Sequence, residues 1–167
     1  MKPIVKAGIG IAFVGALAAA VFVGGALQTR APQVDYVSIK GEHTSQAAMQ
    51  GKVVLVNFWA TSCSGCVAEM PKLVDTWGKY HRQGFETVAV AMSYDEPNYV
   101  AAFTNAKQLP FFVALDSSGD LAKQFGEVTM TPTSFLIDKH GHIVQRYLGE
   151  PDIGQLQALI EQKLKEA

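Results

Sequence analysis

VNFWATSCSGCVAEMPKL, residues 56–73, holds both cysteines of the 167-residue chain, Cys63 and Cys66, with two residues between them. Upstream, the segment continues an apolar, β-rich run, Val53–Trp59 (VVLVNFW), as expected for a strand covered on both faces. Downstream, Val67, Met70, Leu73, Val74 and Trp77 recur at three- and four-residue steps. That spacing predicts a helix from about Cys63 to Arg82 with one apolar stripe. Pro71 is expected to bend it, and Gly84 to end it. Glu86–Met92 (ETVAVAM) reads as a second buried strand. Two strands joined by a helix imply a parallel, right-handed βαβ unit.

The cysteines sit where the first strand gives way to the helix. A stapling disulfide stabilises most when it closes a long loop. Residues three positions apart close a tiny one, so reactivity explains the pair better than scaffolding. At a helix N-terminus, a Cys63 thiolate faces unpaired backbone N–H groups and the positive end of the helix dipole. That lowers the thiol pKa, and the thiolate is the attacking species. Cys66, about one turn on, can attack a mixed disulfide on Cys63 and release the product. A CxxC beside a βαβ pattern reads as a thioredoxin-like redox motif, with Cys63 the nucleophile and Cys66 the resolving thiol.

Beyond this unit, Asp35–Lys40 is expected to hold a small strand, Pro97–Lys107 a helix, Phe111–Leu115 a short strand and Leu121–Phe125 a short helix. Thr133–Asp138 and Ile143–Leu148 flank Lys139-His140-Gly141-His142, a loop suited to a hairpin. Asp152 can cap a final helix to about Lys165, with Ile153, Leu156, Leu159, Ile160 and Leu164 on its apolar face. The order predicts an α/β fold with a central mixed sheet and helices on both faces.

The N-terminus is of another kind. From Ala7 to Leu27 there is no charged residue. As a helix, that segment spans roughly 30 Å, the hydrocarbon thickness of a bilayer. Lys2 and Lys6 precede it, which places the N-terminus in the cytoplasm and the remainder outside. The division expected is an anchor over 1–28, a linker over 29–34 and one folded domain over 35–167. A cleaved signal peptide is the other reading, since Gly24, Gly25 and Ala26 suit a peptidase. Either way the domain is exported, to the periplasm or its equivalent in a bacterium, where disulfide chemistry is favoured.

The net charge of −1 gives no electrostatic grip on nucleic acid. Structural zinc wants four ligands and one cysteine pair supplies two. His81 lies far along the predicted helix, and His140 and His142 read as solvated turn residues. Trp77 reads as core, Glu69 as a solvated helix residue, and Met130 as lining a groove or packing.

VNFWATSCSGCVAEMPKL resembles the active-site segment of the thioredoxin superfamily, particularly membrane-anchored TlpA-like and ResA-like disulfide reductases. The resemblance covers roughly Val34 to Leu164. It takes in Phe58-Trp59-Ala60, the CxxC, Pro71 at the family's helix-kink position and Thr131-Pro132-Thr133 before a strand. It implies a thioredoxin-like fold with Pro132 as a cis-proline whose loop lies against the redox pair. Thr131 would then contact substrate through backbone groups, as an added strand does. Asn57, Trp59, Ser64 and Gly65 become supporting residues of the site.

The chain departs from the family pattern in three places. Ser62 stands where relatives usually carry Trp, removing an aromatic shelf beside the nucleophile. Asn57 stands where thioredoxins have a buried proton-accepting Asp, and an amide cannot take a proton. A glutamate after the second strand, as ascribed to ResA-like proteins, points to Asp95 or Glu96 as the acceptor instead. Ser64-Gly65 between the cysteines is the third departure, and it tunes the potential.

The resemblance further implies a reductase of extracytoplasmic protein disulfides, re-reduced by a DsbD- or CcdA-like membrane donor; a monomer is expected, though the sequence itself does not give the oligomeric state. Apocytochrome c and copper-site proteins are the expected clients, and no cofactor or metal is implied. The alternative on the same fold is a Sco-like copper chaperone. Such proteins space their cysteines one residue further apart and add a histidine ligand, which this sequence matches in neither respect clearly. A thiol peroxidase would need a Pro and Thr set around one peroxidatic cysteine, and that set is absent before Cys63.

Overall fold

The strand order of the central sheet follows from two crossovers taken in the same direction. In the computed structural model, which describes residues 29–166, the five-stranded sheet runs, edge to edge, through Phe112–Leu115, Phe85–Ala91, Val53–Trp59, Thr133–Ile137 and Ile143–Leu148. Strand β3 (Val53–Trp59) is central, parallel to β4 (Phe85–Ala91) and antiparallel to β6 (Thr133–Ile137). β4 pairs in parallel with β5 (Phe112–Leu115), and β6 forms a hairpin with β7 (Ile143–Leu148).

Helix α1 (Ser64–Tyr80) joins β3 to β4, and α2 (Pro97–Lys107) joins β4 to β5. Right-handed connections moving the same way along a sheet must lie on the same face. Both helices do, together with α4 (Ile153–Lys165). Leu55 and Trp59 of β3 meet Cys66, Met70 and Leu73 of α1, Val100 of α2, and Leu156 and Ile160 of α4. The alternate β3 residues Val54, Val56 and Phe58 point the other way. They pack with Phe125 and Phe135 and with Leu121 and Ala122 of α3 (Asp120–Gln124). Every residue of β3 is buried, which explains the unbroken apolar run.

Helix α1 runs through Pro71 and ends in a 3-10 turn over His81–Gln83. Gly84, at φ 99°, takes the left-handed conformation that closes it. Asp152 caps α4 as expected, its Oδ1 accepting from Gln155 N at 2.9 Å.

The structure corrects the N-terminal boundary. Residues 29–34 are not a free linker. Ile143 N donates to Thr29 O and Ala31 N donates to Gly141 O, both at 2.8 Å, and Ala31 and Val34 are buried. The segment lies along the β6–β7 hairpin because that hairpin leaves unpaired backbone groups to satisfy. β1 (Asp35–Val37) then pairs with β2 (His43–Ser45), a strand with no signal of its own in the sequence. A bridge from Ser38 to Ala114 docks this hairpin on the β5 edge and shields it. The anchor expected within residues 1–28 lies outside the described residues. No helix among the described residues is long and apolar enough to cross a membrane.

One buried carboxylate organises the loop after β5. Asp116 accepts from Leu121 N at 3.0 Å and from Ala122 N at 2.9 Å, satisfying the first N–H groups of α3. Asp116→Ala strands those donors in a buried setting and should cost about 2 kcal/mol. A fall in the urea unfolding midpoint at unchanged slope would show it, and an unchanged midpoint would refute it.

Candidate active site

Strand β3 delivers the chain to the redox pair, and backbone hydrogen bonds hold the point of exit. Met92 N donates to Trp59 O at 3.0 Å, carrying the parallel ladder one step past the strand end. The chain turns at Thr61 and Ser62, and Cys63 becomes the N-cap of α1 with extended dihedrals, φ −87° and ψ 105°. Cys63 and Cys66 form a disulfide with Cα atoms 5.3 Å apart. The Cys63 sulfur also accepts the Cys66 N–H at 3.1 Å, so it occupies the position of a capping oxygen.

The two sulfurs live in different surroundings. Cys63 is partly exposed, whereas Cys66 is 1% exposed and packs against the face of the sheet formed by Leu55 and Trp59. The first turn of α1 contains no acidic residue, so no side chain of that turn opposes the positive end of the helix dipole at Cys63. Such a site stabilises a thiolate on the outer sulfur.

The Thr131–Pro132 peptide bond is cis, as the resemblance implies. A Cβ placed on Gly65 would sit 3.8 Å from Pro132 Cδ, so the proline ring lies over the dipeptide between the cysteines. Gly149 N donates to the Pro132 carbonyl at 2.8 Å, and Thr133 Oγ1 donates to Met130 O at 2.7 Å. These bonds pin the loop on both sides of Thr131. Ser64 is exposed at the first helical position.

Asn57 is buried and donates through Nδ2 to Ser134 Oγ at 2.9 Å across the β3–β6 pair. Trp59 is fully buried with its ring centroid 5.2 Å from that of Phe103. Asp95 is committed elsewhere than to the cysteines. Its Oδ2 accepts Thr61 N–H and its Oδ1 accepts the Thr61 hydroxyl, both at 2.6 Å. It thereby clamps the loop two residues before Cys63. Glu96 is exposed at the start of α2, with no side-chain capping bond.

Glu69 departs from expectation. It is not solvated but 1% exposed, and neither carboxylate oxygen has a hydrogen-bond partner. Burial foremost, and the nearby Glu150 carboxylate next, push its pKa up to about 7, with Lys72 pulling the other way. Lys72 itself pairs with Glu150 at the surface. Glu69 lies three residues after Cys66, so both belong to one face of α1. The signal is in the spacing: 66, 69, 70 and 73 form one helical stripe, and Glu69 falls inside it.

Trp77 also sits differently, whereas Met130 and His142 keep to their expected surroundings. Trp77 is only half-buried. Its indole N–H donates to Glu86 Oε1 at 2.8 Å, and its ring stacks on His81 at 4.0 Å. Met130 is exposed, which leaves the groove-lining reading and not the packing one. His142 is partly exposed in the hairpin turn, with Nδ1 3.6 Å from Asp138 Oδ2.

Comparison with known proteins agrees with this geometry. Residues 26–160 match the Redoxin family. Thiol-disulfide oxidoreductase ResA of Bacillus thuringiensis subsp. konkukian is 35% identical over 132 residues, covering 78% of this chain and 75% of that protein. A putative thioredoxin from Neisseria meningitidis superposes with a TM-score of 0.77 at 38% identity, over 83% of this chain and 93% of that one. A thiol:disulfide interchange protein of Chlorobium tepidum TLS gives a TM-score of 0.76 at 27% identity, over 82% and 97%. With a capping CxxC, a cis-proline over it and relatives that match across the whole domain, the chain belongs to the Redoxin family, as a ResA-like member of the thioredoxin superfamily.

Proposed function

We propose that this chain is a thiol–disulfide oxidoreductase that reduces disulfides of proteins outside the cytoplasm of a bacterium, tethered to the inner membrane by its N-terminal segment. The chemistry rests on the asymmetry of the pair: an outer sulfur at a helix start, and an inner sulfur within reach and shielded from solvent. The tether rests on the uncharged segment from Ala7 to Leu27.

The cycle starts from the dithiol. The Cys63 thiolate attacks one sulfur of a substrate disulfide; a Cys63–substrate bond forms as the substrate S–S bond breaks. The leaving thiolate takes a proton from solvent. Cys66 must then lose its proton, and the buried, unpaired Glu69 carboxylate on the same helix face is the acceptor. Asn57 cannot serve, being an amide already donating to Ser134. Cys66 sulfur attacks Cys63 sulfur, the second substrate thiol leaves, and the Cys63–Cys66 disulfide remains. Two electrons have passed to the substrate. A DsbD- or CcdA-like membrane donor returns them, and apocytochrome c or copper-site proteins are the clients. Thr131 and Pro132 present the substrate to Cys63. The copper-chaperone reading is not favoured. The relatives are named as thiol–disulfide oxidoreductases, and no three His, Cys, Asp or Glu among the described residues converge as a metal site.

Cys66→Ala should accumulate mixed disulfides with exported proteins, because nothing then resolves the Cys63 adduct. Non-reducing gels of cells that express it should show them, and Cys63→Ala should show none. A folded, exported Cys66→Ala protein without adducts would overturn the assignment.

Glu69 titrates near neutrality, and only its ionised form can take the Cys66 proton. The rate of the resolving step should therefore rise with pH through about 7 in the wild type. In Glu69→Gln that inflection should vanish and the rate at neutral pH fall about tenfold or more. An unaltered profile would exclude Glu69 as the acceptor.

A reductase also requires a low potential. Equilibration with glutathione should place the Cys63/Cys66 couple closer to the roughly −270 mV of thioredoxin than to the −120 mV of strong oxidants. A value of about −200 mV or higher would reverse the proposed electron flow.

A further inference from the structure

Tyr94 breaks the burial pattern at the redox end of the sheet. It is 59% exposed, on the loop between β4 and α2. The loop is nevertheless well anchored. The neighbouring Asp95 holds Thr61, two residues before Cys63, and the Tyr94 hydroxyl lies 3.4 Å from Thr131 Oγ1. Tyr94 thus bridges the two loops that frame the redox pair, and its aromatic face is left to solvent.

The surroundings say what that face suits. Met130, beside Thr131, is 60% exposed. The Thr131 N–H and C=O make no backbone hydrogen bond among the described residues, so a free peptide edge lies next to the exposed ring. Around the nucleophile, Ser62 and Ser64 are both exposed and supply hydroxyls rather than apolar area. Tyr94 and Met130 supply exposed apolar surface on the two loops beside the pair. An extended backbone can pair with the Thr131 edge while its side chains lie on an adjacent aromatic platform.

We propose that Tyr94 is a specificity-determining residue, whose ring seats the apolar side chain flanking the reactive cysteine in an extended segment of a protein substrate. The proposal rests on the reductase reading above. It makes Tyr94 a contact for peptides, which have flanking residues, and not for small disulfides, which lack them. The hydroxyl bond to Thr131 orients the ring and is secondary to it.

The test compares two substrates reduced by the 167-residue chain with dithiothreitol as electron source. One is a short extended peptide with a disulfide flanked by leucine and phenylalanine, and the other is hydroxyethyl disulfide. Tyr94→Ala should raise KM for the peptide roughly three- to tenfold, the range an aromatic contact supplies. It should leave kcat, the rate with hydroxyethyl disulfide and the redox potential unchanged. Tyr94→Phe and Tyr94→Trp should keep KM near the wild-type value. An unchanged peptide KM in Tyr94→Ala overturns the proposal. So does a Tyr94→Phe variant as impaired as Tyr94→Ala, which would leave only the hydroxyl bond, and so does equal slowing with both substrates. A wild-type chain that reduces neither substrate would instead remove the reductase reading, and with it this proposal.

Discussion

Strand β3 is hydrogen-bonded along both edges and buried on both faces, and that double constraint sets the position of everything at the redox end. Its last backbone carbonyl is already taken by Met92, so the chain leaves the sheet from a fixed point. The turn through Thr61 and Ser62 is held from outside by the Asp95 carboxylate. Cys63 then has one geometry available to it, the cap of α1. Placing the sulfur there puts the helix dipole to chemical use, and burying the next turn hides Cys66 without further devices.

The buried carboxylates differ in whether they are hydrogen-bonded. Asn57 with Ser134, Asp116 with α3 and Asp138 with the hairpin turn all have hydrogen-bond partners, as interior polar groups normally do. Glu69 alone among the buried carboxylates of the described residues has neither oxygen bonded. Keeping a carboxyl in that state disfavours its charge, which is the condition under which it can exchange a proton near neutral pH. Native proteins rarely leave such a group unpartnered where only structure is at stake. The charge of Lys72 is drawn off by Glu150 at the surface, so it compensates Glu69 only in part.

Much of the fold and of the redox pair is legible in the chain because local pattern and tertiary role coincide. Val53–Trp59 is apolar throughout because both faces are covered, and Asp152 caps α4 with its own side chain. The CxxC and Pro132 stand out because few structures use those residues at those places. The hidden features have a different character. β2, His43–Ser45, is three polar or half-buried residues long and exists only through pairing with β1. Residues 29–34 look like a tether by composition, yet find backbone partners more than a hundred residues away, at Gly141 and Ile143. Glu69 escapes any reading that weighs residue type above helical spacing. Asp95 stands out in the sequence as an acid near the cysteines, whereas its geometry is that of a clamp on Thr61.

The entry of the chain along the hairpin has an architectural consequence. β6 runs antiparallel to β3, so the turn over residues 138–142 lies at the sheet end opposite Cys63. A polypeptide arriving there hangs the domain from its base. With β3 seven residues long, the dithiol stands roughly 20 Å above that point of suspension. Under the proposed tether, the closed end of the fold would face the bilayer and the dithiol the aqueous space.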